Sequence, residues 1–115
     1  MPILTVVVSY QGMKLRFGAV LDSGADHTTF PYDLAQAFNL DPTSGAPVTM
    51  TGVSGPVINY LHDGFKIKIA GHELELPVLF SDGLHVPLIG RNKVFEFFRV
   101  TFDGKKLTVR LDPPR

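Results

Sequence analysis

Apolar and polar residues alternate along much of the chain with a period of two, a pattern that is typical of β-strands with one buried face. The first such pattern predicts two strands over residues 3–10 and 13–21, joined by a two-residue turn at Gln11–Gly12. In this register Val6 lies opposite Phe17, so that one face of the hairpin is apolar and the other is wetter.

A further hairpin is predicted around a two-residue turn at Ala70–Gly71. This turn places Lys68 opposite Glu73 and Lys66 opposite Glu75, so both cross-strand pairs join opposite charges. The residues that alternate with these charged ones along each strand form the opposite face of the hairpin, which is apolar throughout. Because the turn, the charges and the hydrophobic pattern agree, they indicate that this hairpin forms.

The remaining patterns are shorter. In chain order they predict a short helix opened by Pro31, a hairpin of residues 48–51 and 57–61 around the loop Gly52–Pro56, a second helix over Arg91–Phe98, and a last hairpin at Asp103–Gly104. No repeat, linker or low-complexity segment divides the chain. We therefore expect a single, mostly β domain over residues 1–115 with one or two short helices.

The strand over residues 13–21 runs directly into an acidic turn formed by Asp22, Ser23 and Gly24. A carboxylate at the end of a buried strand is held by a rigid element and is partly desolvated, which suits acid–base chemistry. Ser23 can form local hydrogen bonds, and Gly24 permits backbone angles that other residues avoid, so the turn can present Asp22 outward. The alternative is an ordinary turn aspartate that ends a strand.

Composition narrows the class of protein. Lys and Arg total 11 and Asp and Glu total 11, so the net charge is zero, and we expect no nucleic-acid partner. The absence of cysteine excludes disulfides, thiolate metal sites and a cysteine nucleophile. No apolar run approaches the ~18 residues of a membrane span, and the first residues lack a signal-peptide pattern. We expect a soluble, cytoplasmic protein with no membrane partner.

Two motifs resemble those of one enzyme family. Asp22-Ser-Gly-Ala-Asp-His-Thr28 is similar to the D-[S/T]-G-A-D-x-T signature of the retropepsin-like aspartic proteases. Leu88-Ile-Gly-Arg-Asn92 is similar to the second element of that family, two hydrophobic residues followed by G-R-[N/D]. An isolated D-S-G is common in turns, but two motifs in the family's order are specific. The segment with the Lys/Glu hairpin looks more like cellular, prokaryotic relatives than viral ones.

The resemblance implies a closed retropepsin-like β-barrel that acts as an aspartic endopeptidase on an extended peptide or protein substrate. It also implies a homodimer, because this chain has one D-S-G triplet and the active site of the family needs two aspartates. In such a dyad the two carboxyls share one proton, since neighbouring like charges cannot both ionise. No metal and no organic cofactor is implied.

The resemblance also assigns roles to individual residues. Asp22 is the expected catalytic carboxylate, and Ser23 and Gly24 form the turn that holds it. The residues expected to contact substrate are Ala25, Asp26 and His27 in the cleft, Gly52, Val53, Ser54 and Gly55 at the tip of a flap, and Leu88 and Ile89 as apolar wall. Asp26 is also expected to accept from Arg91 in a bidentate ion pair, and a structural and a substrate-binding role for Asp26 both stay open.

Two other classes of function stay open. The first is a catalytically silent dimerisation or peptide-binding module with the same fold, against which the intact D-S-G triplet counts. The second is a metal-dependent hydrolase that uses Asp22, Asp26 and His27. The histidines show no H-x-x-x-H or similar ligand spacing, so we expect no metal site.

Overall fold

The computed structural model describes residues 2–52, 54–104 and 108–114, which are mostly β. The strands are β1 (Ile3–Tyr10), β2 (Met13–Leu21), β3 (Thr28–Pro31), β4 (Ala46–Gly52), β5 (Gly55–Ile69), β6 (His72–Ser81), β7 (Leu88–Ile89), β8 (Arg99–Asp103) and β9 (Thr108–Asp112). The helices are α1 (Tyr32–Ala37) and α2 (Val94–Phe97), and a 3-10 helix covers Pro42–Ser44. Among the described residues, no helix is long and apolar enough to cross a membrane.

The strands form two sheets. A seven-stranded sheet has the order β1-β2-β7-β3-β6-β5-β4, and β8 and β9 form a separate two-stranded sheet. β1 also pairs with β5, so the first and sixth strands of that order are hydrogen-bonded to each other. The pairs β2–β7 and β3–β6 are parallel, and each joins segments that are far apart in the sequence.

The two longest hairpins form in the predicted registers. In β1–β2, Val6 lies opposite Phe17, and in β5–β6, Lys68 lies opposite Glu73. Both central residues of each turn have positive φ, at 47° and 82° for Gln11–Gly12 and at 50° and 80° for Ala70–Gly71. This backbone geometry matches the right-handed twist of the flanking strands, which explains why a two-residue turn sets the register.

The hairpin at the predicted flap has a shorter tip than expected. Gly52 pairs with Gly55, so two residues connect β4 and β5 instead of the longer loop Gly52–Pro56. Val53 lies outside the described residues. β5 continues for 15 residues and supplies one arm of this hairpin and one arm of the next. The flap hairpin is therefore continuous with the sheet.

Strand β3 is absent from the elements that the sequence predicts. It has four residues, which is too short for an alternating pattern to be detected, and it runs directly into α1. Its position between β7 and β6 is central, and Phe30 within it is fully buried. Pairing with β6 and β7 therefore stabilises β3 as a strand.

The second helix is shorter than the predicted Arg91–Phe98, because α2 covers Val94–Phe97 alone. Lys93 precedes it with φ +71°, which is outside the helical region. The backbone N–H groups of residues 91 and 92 donate to carbonyls of another segment, described below. The positive φ of Lys93 therefore delays the start of the helix, although the N–H of Phe95 still donates to the carbonyl of Arg91 at 2.9 Å.

The last hairpin forms, with Asp103 paired to Thr108. Its turn therefore spans residues 104–107, of which 105–107 lie outside the described residues. The phenylalanines around it differ in their burial. Phe98 is buried, whereas 47% of Phe102 is exposed.

The centre of the core is a group of aromatic rings around Phe65. The ring of Phe65 stacks on Tyr10 at 4.3 Å between centroids, and it meets Phe38 edge-on at 5.5 Å. Phe30 and Phe80 complete the group at 6.3 and 5.9 Å from Phe65. Such contacts add to the free energy gained by burying apolar area. The group joins β1, β3, β5, β6 and the end of α1.

Replacing Phe65 by alanine is expected to lower the free energy of unfolding by about 3–5 kcal/mol, because it leaves a cavity in this group. The matched control is Phe102→Ala, which removes an exposed ring and should cost about 1 kcal/mol or less. Urea unfolding followed by circular dichroism measures both. Equal losses would contradict the placement of Phe65 at the centre of the core.

Candidate active site

The turn that carries the predicted catalytic aspartate, residues 22–25, is named here the Asp22 turn. Asp22 follows β2 directly, and its backbone N–H donates to the carbonyl of Ile89 at 3.0 Å. The N–H of Ala25 donates back to the carbonyl of Asp22 at 3.2 Å and closes the turn. The first residue of the turn is therefore bonded to β7, and its last residue is bonded to its first.

The segment that follows β7 holds the other side of the turn. The N–H of Arg91 donates to the carbonyl of Ala25 at 2.8 Å, and the N–H of Asn92 donates to the carbonyl of Asp26 at 2.9 Å. These bonds continue the parallel pairing of β2 with β7. The two sequence motifs thus lie side by side and are joined by backbone hydrogen bonds.

Gly90 lies at the closest approach of the two motifs. It is buried, and its N–H donates to the hydroxyl of Thr28 at 3.2 Å. A Cβ at this position would lie 2.9 Å from the carbonyl oxygen of Ala25 and closer still to the backbone carbonyl of His27. Because backbone atoms cannot move aside as a flexible side chain can, only glycine fits.

Thr28 is a structural residue of the site to which the sequence analysis assigns no role. It is 1% exposed, and its hydroxyl accepts the hydrogen bond from Gly90. A buried hydroxyl and a buried amide are each costly to leave unpaired, so this bond stabilises the contact between the motifs. The one signal in the sequence is the position of Thr28 at the end of the first motif.

The Asp22 side chain is half-buried, and its carboxylate is held by one hydrogen bond. Its Oδ1 accepts from the backbone N–H of Gly24 at 2.9 Å. A Cβ on Gly24 would lie 3.3 Å from this oxygen, so glycine also leaves room for the carboxylate. A carboxylate with one anchored oxygen and partial access to solvent can take up or release a proton at a fixed position.

A cavity of about 330 Å³ lies between the Asp22 turn and the flap hairpin, and we name it the turn–flap cavity. Its volume is at the lower end of the range for small-ligand sites, roughly 300–1,000 Å³. Its lining residues are Gly24, Ala25, Asp26, His27, Thr29, Val48, Thr49, Met50 and Leu79. One wall thus comes from the Asp22 turn and the residues after it, and the facing wall comes from β4.

The flap contributes its arm to this cavity. Val48, Thr49 and Met50 belong to β4, and the sequence analysis does not single them out. The Nδ2 group of Asn59, which is 7% exposed, lies 3.1 Å from the sulfur of Met50 and steadies that side chain. The signal that could have found these residues is the alternation along β4, which places Val48 and Met50 on one face.

The other predicted contact residues lie elsewhere. Gly52, Ser54 and Gly55 at the flap tip do not line the turn–flap cavity. Ile89, which is expected to form apolar wall, is 0% exposed and packs in the core of this chain. Alternation along β7 turns its side chain inward and leaves Leu88 half-buried. Ile89 serves the site through its carbonyl, which anchors Asp22.

The predicted ion pair between Asp26 and Arg91 does not form among the described residues. Both side chains are exposed, and the guanidinium carbon of Arg91 lies 6.0 Å from the centroid of the Phe95 ring. Exposed ion pairs contribute little free energy, so water can replace this one without a large loss. Backbone bonds from Arg91 to Ala25 and from Asn92 to Asp26 hold the two segments together instead.

The described residues include no group of three or more His, Asp or Glu side chains that could hold a metal ion. Asp22, Asp26 and His27, which the sequence analysis weighs as a metal set, are therefore not arranged as one.

The geometry of the two joined motifs agrees with the comparison to known families. The model of a family described as aspartyl protease matches residues 6–92, which include both motifs, the flap hairpin and most of the sheet. The chain therefore belongs to this family, the retropepsin-like aspartyl protease family. No curated protein sequence matches the chain.

Substituting Gly90 by alanine is expected to lower the free energy of unfolding by about 1–3 kcal/mol, because the new methyl group meets backbone atoms of the first motif. Gly83 is the matched control, since a Cβ there meets nothing within 4 Å. Gly83→Ala should change stability by no more than about 0.5 kcal/mol. Thermal unfolding of both variants measures the difference, and an unchanged Gly90→Ala protein would contradict the close approach.

Proposed function

We propose that this chain is an aspartic endopeptidase that works as a homodimer, with one Asp22 from each subunit in a shared active site. The observation that carries the proposal is the Asp22 carboxylate, which follows a buried strand and is held by Gly24 beside the turn–flap cavity. Membership of the aspartyl protease family supports the same chemistry. The pairing of β1 with β5 supports the closed barrel that we infer for each subunit.

Two copies of the chain are needed for a chemical reason. Hydrolysis of a peptide bond requires a base that takes a proton from water and an acid that gives a proton to the carbonyl oxygen. The D-S-G triplet, which here directly follows a buried strand, occurs once in this chain. A dimer brings two such carboxyls together, and their mutual repulsion leaves one proton shared between them.

The reaction then proceeds in two steps. The ionised Asp22 removes a proton from water, the water oxygen bonds to the peptide carbonyl carbon, and the protonated Asp22 gives its proton to the carbonyl oxygen. In the second step the peptide C–N bond breaks, the nitrogen receives a proton from one carboxyl, and the hydroxyl proton returns to the other. The dyad regains its single shared proton, and no metal or organic cofactor takes part.

An extended peptide is the substrate that suits the site. Among the described residues, β4 is the last strand in the order of the large sheet, so the backbone N–H and C=O groups along its outer edge have no strand partner there. A peptide that adds to this edge as a strand places alternate side chains toward the turn–flap cavity. We further propose that the flap tip, residues 52–55, closes over the bound peptide.

Replacing Asp22 by asparagine is expected to lower kcat by at least about a hundredfold, because the amide can neither accept nor share the proton. The measurement is cleavage of a random peptide mixture, followed by mass spectrometry, with and without an aspartic-protease inhibitor. Asp33→Asn, on the exposed side of α1, is the matched control and should cleave as the unchanged protein does.

Unchanged cleavage by the Asp22→Asn protein would show that the assignment is wrong. Loss of cleavage on adding a chelator would favour a metal-dependent hydrolase. If the unchanged protein binds peptides but never cleaves them, the chain is a silent peptide-binding module.

Mixing the unchanged protein with an equal amount of the Asp22→Asn protein tests the shared site. If subunits exchange at random, only about one quarter of the dimers contain Asp22 in both subunits. The activity of the mixture should therefore be about one quarter of the activity of the unchanged protein at the same total concentration. Independent sites in each chain would instead retain about one half. Sedimentation at micromolar concentration, run in parallel, should show a dimer.

A further inference from the structure

His27 lines the turn–flap cavity and has no part in the proposed mechanism. Its Nδ1 atom is buried and has no hydrogen-bond partner in the structure. Buried polar atoms are almost always paired, and an orphaned N–H is rarer than an orphaned acceptor. Of the two neutral tautomers of His27, the one with its proton on Nε2 leaves an acceptor, and not a donor, unpaired at the buried Nδ1 position.

Besides the hydroxyl groups of Thr29 and Thr49, the cavity lining includes a hydrogen-bond donor and an acceptor on two consecutive residues. The donor is the Nε2–H group of His27, and no hydrogen bond among the described residues engages it. The acceptor is the carboxylate of Asp26, which is exposed and forms no ion pair among those residues. Val48 and Met50 of β4 and Leu79 of β6 give the same cavity an apolar part, which suits the aliphatic portion of a side chain.

We propose that this cavity selects a substrate residue with a carboxamide side chain, glutamine or asparagine. This proposal rests on the proposed function. The amide oxygen accepts from the Nε2–H of His27, and the amide NH₂ donates to the carboxylate of Asp26. A glutamate offers the acceptor but meets the negative charge of Asp26. Methionine and leucine, which have nearly the same shapes, leave both protein groups unpaired, and a site with unpaired polar groups disfavours such residues.

The test uses pairs of peptides taken from the cleavage products of the random mixture. Each pair differs by Gln or Met, or by Asn or Leu, at one position beside the scissile bond. At the position that occupies the cavity, the carboxamide peptide should have the higher kcat/KM by roughly three- to tenfold, as expected for one or two net hydrogen bonds. The Glu peptide should be cleaved less well than the Gln peptide.

Variants of His27 identify the residue responsible. His27→Leu should bring the Gln/Met ratio of kcat/KM to about one, and His27→Gln, which keeps a donor and an acceptor, should restore part of it. His85→Leu is the matched control, because His85 is an exposed histidine outside the cavity, and it should keep the ratio of the unchanged protein. A ratio that His27→Leu does not change, or a preference for methionine, would overturn the proposal.

A second measurement separates this proposal from the proposed catalysis. Calorimetry of the same peptides with the Asp22→Asn protein reports binding without cleavage. A carboxamide preference in binding, together with no cleavage by the unchanged protein, would support the cavity and reject the catalytic mechanism. Cleavage without any such preference would reject the cavity assignment alone, and the absence of both cleavage and binding would reject both.

Discussion

The site depends on a set of backbone hydrogen bonds between residues 22–26 and residues 89–92, two segments that are far apart in the sequence. The amide groups of Asp22, Arg91 and Asn92 all donate across this joint. Buried amides are costly to leave unpaired, so these bonds fix the two segments whatever side chains the neighbouring residues carry. The position that does demand one residue is Gly90, where the two backbones come closest. The direction of the Asp22 carboxylate follows from this joint.

The turn–flap cavity combines walls of different origin. One wall belongs to the segment that β2, β3 and β7 hold in place from within the sheet. The other belongs to β4, an edge strand that has a neighbour on one side only. The fixed wall carries the reactive and polar groups, and the edge wall can pair with a peptide backbone. This combination suits the recognition of extended chains. Asn59 links the edge wall to the core through Met50.

Local patterns were sufficient to predict the hairpins. The turns at Gln11–Gly12 and Ala70–Gly71 set both registers, because the geometry of a two-residue turn and the period of two act over neighbouring residues alone. The turn that presents Asp22 was readable for the same reason, since a buried strand, a carboxylate and a glycine follow one another in sequence. The family itself was readable from the two motifs.

The sequence by itself thus determined the mostly β class, the main registers and the residues of the Asp22 turn. The tertiary structure alone decided that β3 exists, that α2 begins only at Val94 and that Ile89 faces the core. It also decided that the backbones of Arg91 and Asn92 bond to Ala25 and Asp26. Each of these outcomes depends on pairing between segments distant in the chain. Such pairing selects among backbone conformations and side-chain directions that local preferences leave nearly equal in energy, so no local pattern records it.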